Sequence, residues 1–162
     1  MELFDEVDKN DNVIGTTNKV DSHKTSKIHR IVAIYVFDKN GLLYVQIHKT
    51  SGGLYDNSIG GHVAKGESYD EAAIREAKEE LGIVQKLNKI SVFYSDETPT
   101  IKHMICLYEC VVADDWRFVP NDEVEEIVPM EVNVIKKMMN TNRELFTGGF
   151  VNTMKEYLRI KN

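Results

Sequence analysis

Cysteine is scarce in this chain, with only Cys106 and Cys110 among 162 residues. They lie four apart in an apolar, strand-like stretch, where a strand would hold them on one face about 13 Å apart, beyond disulfide reach. Buried free thiols suited to a reducing compartment are therefore expected. Also lacking is any apolar run of membrane-spanning length, and the polar start MELFDEVDKND has no signal-peptide character. A cytoplasmic location without membrane contact is the expectation. Cations are in deficit, 20 Lys and Arg against 26 Asp and Glu for a net charge of −6. A nucleic-acid surface needs cationic stripes, so nucleic acid is not an expected partner. No repeat or low-complexity linker divides the chain, so residues 1–162 are expected to form one domain with a sizeable core.

Mixed elements run along the chain. Residues 2–8 and 12–19 predict a hairpin within the first 20 residues, turning at Lys9-Asn10-Asp11. Ile28 to Phe37 and Leu42 to His48 are apolar, β-branched runs joined by the turn signal Asp38-Lys39-Asn40-Gly41. Asn57 to Val63 predicts a short strand, as do Lys89 to Tyr94 and Ile101 to Ala113. Over 130–162, C-terminal helices are expected. One begins near Pro129 and spans about 130–139, and another spans 143–160, interrupted at Gly148-Gly149. This order predicts an α/β fold with a mixed sheet between helices.

The segment Gly61 to Ile83, GHVAKGESYDEAAIREAKEELGI, carries the most information. Ser68 and Glu71 form a capping box, and Gly82 provides a left-handed C-terminal cap, which predicts a helix over 69–81. At about 100° per residue, Ala73, Ile74, Ala77 and Leu81 share an arc, and Glu71, Arg75 and Lys78 fall opposite. Glu76, Glu79 and Glu80 flank the apolar arc at i, i+3 and i+4. Like charges so placed repel, which a divalent cation would offset through oxygen ligands. The same three residues taken alone are also compatible with a solvated acidic face.

The wider pattern resembles the Nudix box, the signature of the Nudix hydrolases. Gly61, Glu67, Arg75, Glu76, Ala77, Glu79, Glu80, Gly82 and Ile83 occupy its fixed positions across residues 61–83. The resemblance implies a Nudix α/β/α sandwich. It further implies hydrolysis of a nucleoside diphosphate linked to another moiety X, at a phosphoanhydride bond. The implied cofactor is Mg²⁺, with Mn²⁺ as the alternative, and the implied partner is a small nucleotide or diphosphate substrate. Glu76 and Glu80 are the expected principal metal ligands, Glu79 completes the set, and a carbonyl near Gly60 and Gly61 is a further candidate. One glutamate would activate water. Arg75 is expected to hold a box carboxylate, and Glu67 either pairs with Arg75 or reaches the metal through water. A fourth acid is sought among Glu123, Glu125 and Glu126. His62, Tyr55, Arg30 and Lys49 are candidate substrate contacts. A homodimer is compatible with the N-terminal extension.

The flank from Gly53 to His62 resembles Nudix proteins related to isopentenyl-diphosphate isomerase, as do His23 and His29. The isomerases carry a catalytic cysteine at the position of Gly60 and paired metal-binding glutamates at about Lys102 and Met104. A glycine can neither donate nor accept a proton, so hydrolysis is preferred to isomerisation. A nucleotide-binding module without turnover is the remaining alternative. By this resemblance His23 and His29 are candidates for a relic metal site, but Lys102 and Met104 supply no carboxylates, so a structural or surface role is expected; neither His48 nor His103 has informative neighbours.

Overall fold

A computed structural model describes residues 1–162. Its organising element is β3 (Ile28–Phe37), ten apolar and β-branched residues that alternate between two helical layers. One edge of β3 pairs in turn with β1 (Phe4–Val7), with β6 (Ile59–His62) and, through Phe37, with β4 (Leu42–His48). The other edge pairs in parallel with β8 (Lys102–Val111), which β7 (Asn88–Asp96) flanks. Strand β2 (Val13–Thr17) completes the N-terminal hairpin, β5 (Tyr55–Asp56) joins β4, and β9 (Val124–Glu131) pairs only with β4.

Val32, Ile34, Val36, Cys106, Tyr108 and Cys110 face α2 (Tyr69–Leu81) and bury Ala72, Ala73, Ala77 and Leu81. The alternate residues Ala33, Tyr35, Phe37, Ile105 and Leu107 face α3 (Val132–Thr141) and α4 (Gly148–Lys161). Burial of such side chains is worth about 25 cal/mol per Å² of apolar area, so the two faces of one sheet supply the core of a three-layer α/β/α sandwich. Both cysteines are buried free thiols. No helix is long and apolar enough to cross a membrane.

Four sequence expectations require correction. Helix α1 (Lys19–Thr25) starts at the end of the stretch assigned to the hairpin and runs on through residues given no element, its Asn18 side chain accepting from the Asp21 amide. Pro129 lies inside β9, opposite Tyr44, and α3 starts only at Val132. As an edge strand β9 tolerates a residue without an N–H. Gly148-Gly149 opens α4 rather than interrupting it, because the Thr147 hydroxyl caps the Phe150 amide at 3.2 Å. On α2, Ile74 is exposed and Ala72 is buried in its place.

Candidate active site

The α2 helix is fixed at both ends as its sequence demands. Ser68 Oγ accepts from the Glu71 amide at 3.1 Å, and the Ser68 amide donates to Glu71 Oε2 at 2.9 Å. Gly82 ends the helix at φ 64°. This anchoring directs Glu76, Glu79 and Glu80 into a cleft of about 600 Å³, whose floor includes Gly60, Gly61 and His62 of β6.

Glu80 is 4% exposed and Glu76 is 9% exposed. Gln46 Nε2 donates to Glu80 Oε2 at 2.9 Å and to the Ser58 carbonyl at 3.1 Å. One donor does not offset the desolvation of a carboxylate, so burial pushes the Glu80 carboxyl up to about 8, against the Gln46 bond. The charges of Glu76 and Glu123 push in the same direction. Burial likewise raises Glu76, although Arg75 opposes it. Glu76 lies so close to Gly61 that a Cβ at that position would overlap its carboxylate.

Arg75 does not point to solvent. Its guanidinium folds back along the helix and meets Glu67 through two bonds of 2.9 Å, Nε to Oε1 and Nη2 to Oε2. Nη1 donates to Glu76 Oε1 at 2.7 Å, and Nη2 also donates to the His62 carbonyl at 3.0 Å. Glu79 Oε2 lies 3.6 Å from Nη1. Glu67 further accepts from the Ala64 amide at 2.8 Å, and the Arg75 bonds hold its carboxyl below the usual range. The planar fork of arginine therefore joins the turn before α2, the strand β6 and the box carboxylates.

Seven carboxylates line the cleft (Glu2, Asp56, Glu76, Glu79, Glu80, Glu97 and Glu123) against two cations, Lys19 and Arg75. Such a surface repels phosphates, yet buried carboxylates are the oxygen ligands that a hard divalent cation takes. The pair Glu76 and Glu80, with Glu79 and Glu123 near the mouth, fits that requirement.

Of the acids after Asn121, Glu123 lines the cleft, while Glu125 and Glu126 are exposed on β9 and do not. His62 lines the cleft, its ring stacked on Phe4 at 4.7 Å. Arg30 lies elsewhere, with Nε donating to Asp11 Oδ1 at 2.7 Å and its guanidinium over the Tyr69 ring. Tyr55 packs on Phe146, and Lys49 is exposed beside the cleft, its amide donating to the Glu123 carbonyl at 3.3 Å. None of these three lines the cleft. Sequence reasoning overlooked Gln46, Asp56, Glu97 and His103, which do. Gln46 had a legible signal, a lone amide within the apolar run LLYVQIH.

His23, His29 and His103 converge, and of the three His103 lines the cleft; the part of His103 in this grouping was not expected. His29 and His103 are direct partners on the parallel strands β3 and β8. Their rings meet edge to face, with centroids 4.6 Å apart.

Comparison with known proteins identifies the family and the fold. The NUDIX domain family matches residues 27–147. Isopentenyl-diphosphate Delta-isomerase 2 of Photorhabdus laumondii is 42% identical over 91 residues, or 54% of this chain and 51% of that protein. The chain thus spans about half the length of that relative. A Nudix hydrolase of Deinococcus radiodurans is 30% identical over 129 residues, covering 75% of this chain and 74% of its own. The crystal structure of DR0079 from Deinococcus radiodurans superimposes with a TM-score of 0.75 over 96% of this chain and 98% of that one, at 23% identity. The extent of these matches shows the family: the chain belongs to the NUDIX domain family.

Proposed function

We propose that this protein is a Mg²⁺-dependent hydrolase that cleaves a pyrophosphate bond in a nucleoside diphosphate linked to another moiety. The observation that carries this reading is the excess of carboxylates in the cleft, centred on the buried pair Glu76 and Glu80. A polyanionic substrate can approach them only with cations between, and a bound divalent cation would neutralise charge as the phosphoanhydride bond breaks.

Glu76, Glu79 and Glu80 would hold that cation. Arg75 orients Glu76 through Oε1, and Gln46 orients Glu80 through Oε2. Glu79 or Glu123, the more exposed acids of the cleft, would accept a proton from an attacking water. Gly61 leaves room for the Glu76 carboxylate against β6.

Isomerisation of isopentenyl diphosphate is a second reading, favoured by the 42% identity over 91 residues to an isomerase. Its weakness is the absence of a thiol in the cleft. Gly60 stands where the resemblance places the cysteine, and Cys106 and Cys110 are buried with their thiols raised by desolvation. The discriminating experiment is a Mg²⁺-dependent screen of nucleoside triphosphates, nucleotide sugars, dinucleoside polyphosphates and oxidised nucleotides, with isopentenyl diphosphate included. Phosphate release by the wild type and its loss in Glu80→Gln are expected. Equal activity in the two proteins would overturn the mechanism.

A further inference from the structure

We infer that His23, His29 and His103 form a second metal site, for a borderline transition ion of the Zn²⁺ class, separate from the carboxylate platform. Each offers one ring nitrogen, and the three atoms lie within 4.8 Å of one another. The residues come from three elements, α1, β3 and β8, so the fold itself brings them together.

The side chains lack other partners. His29 is fully buried and His103 is 7% exposed. His23 Nε2, both ring nitrogens of His29, and His103 Nε2 are buried without a hydrogen bond. An unsatisfied buried polar atom costs about 1–3 kcal/mol, so four in one place require an explanation. Packing alone supplies none, whereas a shared cation satisfies one nitrogen on each ring. Burial, with repulsion from the neighbouring histidines, holds His29 near 3, and burial also lowers His23. Both shifts favour the neutral ring of His29 and of His23, the form in which imidazole binds a metal.

The surroundings complete the arrangement. His103 Nδ1 lies 3.2 Å from Glu97 Oε1, the carboxylate–imidazole pairing that fixes a tautomer and leaves Nε2 for a metal. Lys102 and Met104 flank His103, and Lys102 is engaged with Asp96 at 2.5 Å. Helix α1, which carries His23, is tied down where Ser26 Oγ donates to the Pro99 carbonyl at 3.0 Å. An all-imidazole set suits Zn²⁺, Co²⁺ or Ni²⁺, whereas Mg²⁺ prefers oxygen, so the two sites select different ions. His103 and Glu97 both line the cleft, so an ion held by the three histidines would lie beside it.

The test is a titration of the full chain, stripped of metal by chelator, with Zn²⁺ alone and with Co²⁺ as an absorbance probe. One equivalent is expected to bind in the wild type and in Glu80→Gln, with the Co²⁺ spectrum of a nitrogen-rich, low-coordinate site. His23→Gln alters a partly exposed side chain and is expected to fold normally by circular dichroism while losing about 100-fold in affinity. His103→Gln should do the same, and Glu97→Gln should lose about 10–100-fold. Absence of Zn²⁺ binding by the wild type would overturn the inference. So would unchanged affinity in both histidine variants, or loss of the ion in Glu80→Gln. None of these outcomes depends on whether the protein hydrolyses a nucleotide.

Discussion

Gln46 of β4 and Glu80 of α2, both buried, meet between strand and helix through a 2.9 Å hydrogen bond. The carboxamide donates, and so favours the charged form of Glu80, the form that binds a cation. Gln46→Leu is therefore expected to weaken divalent-cation affinity by about 10–100-fold while the protein remains folded. Isothermal titration with Mn²⁺ measures this, and unchanged affinity would show that the bond has no bearing on the ion.

Arg75 supports the site through Glu67, Glu76 and the His62 carbonyl. Arg75→Lys keeps the charge but loses the fork, so the apparent Mg²⁺ requirement should rise about tenfold with kcat recoverable at saturating ion. Glu80→Gln, which removes a proposed ligand, should not recover at any Mg²⁺ concentration. Rate measurements across an ion titration separate the two behaviours.

The raised Glu80 carboxyl sets a pH dependence for the metal-free protein. Because its folded value, about 8, lies above the ordinary carboxylate range, the folded state binds the extra proton. Its contribution to stability is present below about pH 4.3 and is lost as pH rises through about 8. His29 and His62, held near 3 and 4, act in the opposite sense, destabilising the fold as pH falls below about 6.5. Thermal melts in EDTA should isolate the glutamate: Glu80→Gln should gain on the wild type as pH rises from 5 to 8, at roughly 2–4 °C per kcal/mol. A constant difference between the two curves would contradict the assignment.

Arg30 is assigned to structure by its contacts. Its bonds to Asp11 and its place over Tyr69 tie the N-terminal hairpin to α2. Arg30→Ala should lower stability by about 1 kcal/mol in urea unfolding and leave KM unchanged. A raised KM would return this residue to the substrate site.

The parts of the fold legible in the sequence were those governed by local rules. The capping box and Gly82 delimit α2 at residues 69–81, and the alternating apolar runs delimit β3 and β4 at their observed ends. Pro129 misled because only the sheet determines whether a strand is an edge. Ile74 misled because a helical wheel locates a stripe without locating the sheet beneath it. In the site, spacing along one helix made the three box glutamates visible. Gln46, Glu97 and His103 remained hidden because their neighbours come from other elements. His103 joins His29 only through strand register, and local sequence carries no trace of that pairing.

The bond from Arg75 to the His62 carbonyl gives the two sites a common peptide. His62 stacks on His29 at 5.2 Å, while the same arginine grips Glu76. If an ion at the histidines shifts that strand segment, the carboxylates must register the shift as a changed affinity. Thermodynamic reciprocity then requires the carboxylate ion to change the histidine affinity by the same factor. Two chemically different cations would thereby report on each other through a single guanidinium.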